Sequence, residues 1–62
     1  MKLRGKAIYD YAENIAREVK NRYVFFETVA TAALVPHIVD IMRETGGLKT
    51  IEEYAKKLVE AV

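Results

Sequence analysis

The chain has 62 residues, is 52% hydrophobic, and carries ten basic against nine acidic side chains for a net charge of +1. So short a chain is one domain near the lower size limit for a self-sufficient core, because it hides only about 60% of the surface exposed when unfolded. With no Cys and a single His, His37, neither a disulfide nor a zinc site within one chain can staple it, which leaves self-association as the expected source of extra burial.

The basic start Met1-Lys2-Leu3-Arg4-Gly5-Lys6 is followed by Asp10, Glu13 and Glu18 rather than by an apolar stretch. That pattern argues against a secretory leader and for a cytoplasmic chain. The longest run without a formal charge, Thr28 to Val39, is twelve residues, short of the roughly 20 needed to span a bilayer, so it reads as a buried helix. Ser, Gln, Cys and Trp are absent while Lys, Arg and Glu are abundant, a bias that matches hyperthermophile composition. Charge is uneven: the segment through Arg22 carries net +3 and the remainder net −2. Mixed charges on amphipathic helices account for this most simply; head-to-tail self-association or a basic patch for a polyanion are the functional readings.

Residues 1–5 form a basic arm ahead of the first helix. From Lys6 onward, Ile8, Ala12, Ile15, Val19, Tyr23, Phe26, Ala30 and Ala33 recur at steps of four and three, which keeps them on one face of a helix. Nothing between Lys20 and Val35 is a strong breaker, so the spacing allows one helix from Lys6 to Val35, or two should it break near Asn21. A competing reading makes Tyr23-Val24-Phe25-Phe26 a short strand, since aromatic and β-branched residues favour pleated surfaces. Helix is preferred because a lone strand would need another subunit to pair with.

Pro36 is expected to kink this helix or to begin a second one, which runs to Thr45 and stops at Gly46-Gly47. Thr50-Ile51-Glu52-Glu53 fits a capping box and opens a last helix, to Ala61, with the stripe Ile51, Tyr54, Ala55, Leu58 and Val62. The predicted fold is therefore an all-α bundle of three helices, or four if the first is broken, in a single domain over residues 1–62. Oligomerisation is expected to complete it.

Few groups can converge for catalysis. Ser and Cys are missing, and Thr28, Thr31, Thr45 and Thr50 fit helix-interior or capping roles. His37 and Asp40, three apart on a helix, could hold a metal only with ligands from other subunits; an exposed His just after Pro36 is the plainer account. No catalytic residue, cofactor or metal ligand is assigned. Gly46-Gly47 lacks the Lys-Ser or Lys-Thr of a phosphate-binding loop.

Glu27 interrupts an otherwise apolar stretch from Tyr23 to Val39. If buried, it needs a partner such as Arg17 or Arg22 of another copy; if exposed, it marks the solvent side of the helix. Aromatic residues on two faces of Tyr23 to Phe26 exceed what one thin core hides, which favours a subunit interface. The expected seam comprises Tyr23, Phe25, Phe26, Glu27, Ala30, Leu34, Ile38 and Met42. The partner is another copy of the chain or another helical protein.

The stretch from Ile38 to Leu58, an amphipathic helix ending at Gly46 followed by the Thr-capped Glu52-Glu53-Tyr54-Ala55-Lys56-Lys57-Leu58, resembles the opening two helices of helix-turn-helix DNA-binding domains. The resemblance covers about a third of the chain, which ends at Val62, ahead of the recognition helix such domains place in the major groove. It implies an alternative function, a small nucleic-acid-binding regulator. Lys2, Arg4, Lys6, Arg17, Lys20 and Arg22 would then contact phosphates without reading sequence.

Overall fold

The structure is a computed structural model that describes residues 5–61. Helix α1 spans Lys6–Arg22, a single 3-10 turn follows at Val24–Phe26, and α2 (Thr31–Thr45) and α3 (Ile51–Ala61) complete an all-α bundle of three helices. Among the described residues there is no strand. The inter-subunit strand considered for Tyr23 to Phe26 is replaced by the 3-10 turn.

In α1 the periodic stripe does what its spacing predicts, burying Ile8, Ala12, Ile15 and Val19, and Ala16, outside the predicted stripe, is buried beside them. Lys20 and Arg22 occupy the last turn, where cations suit the negative end of the helix dipole. The helix ends at Tyr23, whose backbone turns extended (φ −123°, ψ 110°) while its N–H still donates to the Val19 carbonyl at 2.9 Å. The continuous helix from Lys6 to Val35 is therefore not formed. A straight helix of 30 residues would be about 45 Å long and would find only α3 to cover its apolar stripe. Folding back at Tyr23 lets α2 cover it instead, and the α1–α2 contact is the most extensive in the bundle.

The turn is held by successive i to i+3 bonds, from the N–H groups of Phe26, Glu27 and Val29 to the carbonyls of Tyr23, Val24 and Phe26, all at 3.0 Å. It swings Phe26 into the core, where it is 3% exposed. Helix α2 then begins at Thr31, after Ala30 in extended geometry (φ −64°, ψ 142°) and with no side-chain cap. Pro36 lies inside this helix as its sixth residue and does not begin it. Its missing N–H leaves the Ala32 carbonyl without its helical donor, but Ala32 and Pro36 are both exposed, so water replaces that bond. The opposite face buries Leu34, Ile38, Val39 and Ile41, which holds the helix together across the proline.

The second half of the chain follows its local signals. Gly46 ends α2 in the left-handed region (φ 64°), its N–H donating to the Met42 carbonyl at 2.9 Å. Thr50 caps α3: its Oγ1 accepts from the Glu53 N–H at 3.2 Å and donates to Glu53 Oε1 at 3.1 Å. The Glu53 carboxylate thus bonds the threonine hydroxyl, where the reciprocal box expects it to accept from the Thr50 backbone N–H. Tyr54, Ala55 and Leu58 carry α3 into the core.

The core is built of apolar side chains and the ring of Tyr54, with Leu34, Ile38, Leu58, Val19 and Val39 the largest fully enclosed side chains. Among the described residues no side-chain polar atom is buried without a partner. None of the described helices is long and apolar enough to cross a membrane.

Candidate self-association surface

The residues between α1 and α2 divide by direction. Phe26 points inward, and Phe25 stacks on its outer side with ring centroids 4.4 Å apart and planes tilted by 40°. Tyr23 flanks Phe25 at 6.1 Å and packs, half-buried, against the rim of the core. Phe25 is thereby fixed in place yet remains 60% exposed, and Val24 beside it is 79% exposed. Two adjacent large apolar side chains standing in water on a held backbone form the most evident apolar feature of the described surface. Tyr9, Tyr11 and Val59 are also partly exposed, less so than Val24 and Phe25, and exposed apolar residues of that kind are ordinary on a protein surface.

The expected seam is split by the fold. Phe26, Leu34 and Ile38 are at most 3% exposed and belong to the chain's own core. Tyr23 and Met42 lie at the core's rim, half-buried. Phe25, Glu27 and Ala30 face outward. Glu27 is not enclosed in an apolar setting; the 3-10 turn places it on the surface, where water solvates its carboxylate. Val24 was not among the expected seam residues, although its signal is readable. It falls off the stripe that runs through Val19, Tyr23 and Phe26, so a bundle that buries that stripe must expose it.

Among the described residues the basic side chains lie close to acidic ones. Lys2 and Arg4 lie outside the described residues. Arg17 bonds Asn14 and approaches Glu13 at 3.8 Å. Arg22 sits between Glu18 at 3.6 Å and Glu52 at 3.5 Å, the latter linking the end of α1 to the start of α3. Lys6 and Lys20 share the outer side of α1 with Asp10 and Glu13, so positive and negative charges alternate there.

His37 and Asp40 share α2, and among the described residues no group of three or more His, Asp or Glu side chains could hold a metal. An open depression of about 310 Å³ lies between the C-terminal ends of α2 and α3, lined by Ile41, Glu44, Thr45, Lys57, Glu60 and Ala61. Its Lys57 and Glu60 pair with each other at 3.8 Å. Tyr54 is the one described group whose ionisation is clearly perturbed. Burial pushes its phenol above the ordinary value of 10.0, and the adjacent Tyr11 and Glu53 add to the shift. This is a cost of packing the ring into the core, where Tyr54 is 4% exposed. No protein-family model, curated protein or solved structure matches this chain.

Proposed function

We propose that this chain is a cytoplasmic, non-catalytic interaction module that self-associates through the aromatic segment joining α1 and α2. The observation that carries this reading is the pair Val24 and Phe25, 79% and 60% exposed on a turn that Phe26 anchors in the core. Holding Phe25 against Phe26 means that little side-chain freedom is lost when a partner covers it, which favours association. A second copy offers the same patch, so a two-fold arrangement buries both at once.

The patch also limits the strength of the contact. One valine and one aromatic ring offer on the order of 250 Å², well under the roughly 800 Å² per partner of a standard interface. The expected complex is a weak dimer in rapid exchange. Sedimentation velocity from micromolar to millimolar concentration should show mass rising with concentration, and Val24→Lys with Phe25→Lys should return the chain to a monomer with unchanged helicity. A wild-type chain that stays monomeric throughout that range refutes the proposal. A larger complex that forms only with another helical protein assigns the surface to that partner instead.

A further inference from the structure

The connector between α1 and α2 is a turn without turn chemistry. No Gly or Pro occurs from Lys6 to Val35, and no described residue other than glycine has positive φ. Val24 to Phe26 are already in a helical turn and Glu27 is in the right-handed helical region (φ −59°, ψ −35°). Clear departures from helix are seen at Tyr23 and Ala30, both in extended geometry. Moreover, the stripe of α1 continues in step through Tyr23, Phe26, Ala30 and Ala33, yet the closed bundle leaves Ala30 and Ala33 exposed. The sequence period thus fits a continuous helix that the folded monomer does not use.

We infer that the connector is a hinge that can straighten, fusing α1 and α2 into one helix and exchanging α1 between two copies of the chain. In the exchanged dimer α1 of each copy packs on α2 and α3 of the other. The contact is the α1–α2 interface already present in the structure, so it is not limited by the small area of Val24 and Phe25. Tyr23, Phe26, Ala30 and Ala33 then continue α1's stripe toward the partner. The aromatic and β-branched residues of the connector are weak helix formers, which keeps the closed bundle dominant when dilute. Exchange requires α1 to leave its own core, so it is slow in both directions. This mode goes beyond the surface contact proposed above and does not depend on it.

One substitution separates the two. Ala30→Pro suits the closed bundle, where φ is −64° and the Ala30 N–H donates no backbone hydrogen bond. In a fused helix it sits mid-helix, removes a hydrogen bond and clashes with the Phe26 carbonyl. Val24 and Phe25 lie off the continuous stripe, so Val24→Lys and Phe25→Lys spare an exchanged dimer.

The test is to unfold the chain in denaturant, refold it at millimolar concentration, dilute it and separate the species by size. A dimer that persists for hours after dilution is expected. It should survive Val24→Lys with Phe25→Lys, and Ala30→Pro should weaken its formation by at least about a hundredfold while the monomer keeps its helicity. Isotope-filtered nuclear Overhauser contacts between α1 and α2 should arise between differently labelled chains in that dimer. No persistent dimer, a persistent dimer indifferent to Ala30→Pro, or contacts found only within one chain each overturn the inference. The rapid dimer of closed bundles is judged separately, by its loss in the lysine variants.

Discussion

The two connections of this bundle are built on opposite principles. Between α2 and α3 the chain turns on local chemistry: a left-handed Gly46 and the Thr50 hydroxyl on the Glu53 N–H. Between α1 and α2 it turns with no glycine and no side-chain cap; backbone bonds shape the 3-10 turn, and the ring of Phe26 in the core ties it to the bundle. A local signal is written in a few neighbouring residues and acts wherever they occur. A tertiary signal exists only once the helices have met.

The largest test of that contrast is Phe26→Ala, which removes the anchor and leaves a cavity. It should cost about 3–5 kcal/mol in urea or thermal unfolding, whereas Phe25→Ala, one residue earlier and 60% exposed, should cost only the ring contacts with Phe26 and Tyr23, about 1 kcal/mol. Equal losses would show that the connector is not held by the inward ring. At the other connection the effects are smaller because they are local. Gly46→Ala meets no steric neighbour within 4 Å, so its cost is backbone strain alone, about 1–2 kcal/mol. Thr50→Ala should lose about 1 kcal/mol with the cap, and a calorimetric scan of both variants reads them directly.

A subtler effect belongs to pH. The unfolded Tyr54 phenol ionises from about pH 10, while the folded one holds its proton to higher pH. Above pH 10 the unfolded state therefore binds fewer protons than the folded state, and stability falls as pH rises through the folded value. Below pH 10 this group adds no slope. Tyr54→Phe should flatten the alkaline loss in denaturant titrations from pH 8 to 11; an unchanged slope would assign it to other groups.

The same contrast explains what the sequence could say. The buried face of α1, the stop at Gly46 and the start at Thr50 are legible because period and caps are local. The end of α1 is legible only as one of two alternatives, a break near Asn21 or a helix through Val35, and the choice between them rests on what each has to pack against. Pro36 misleads for the converse reason. It is a strong local breaker, but on an exposed face near the start of α2 its missing bond goes to water and Ile38 and Leu34 prevail. The candidate surface was half legible: Tyr23 and Phe25 follow from aromatic surplus, but whether Phe26 or Val24 faces water depends on where the chain folds back.

A nearly all-apolar interior has one further implication, concerning alignment. Hydrophobic contacts specify volume and shape but carry no donor-to-acceptor pairing that penalises a one-turn slip of one helix along its neighbours. With the Tyr54 phenol beside Tyr11 the one polar group among the described core residues, the register of α3 is set largely from outside the core, by Arg22 on Glu52 and by the five residues from Gly46 to Thr50. Their fixed span is the ruler of the bundle, and lengthening it by a single residue should blur the native state into several alignments before it lowers the midpoint of unfolding.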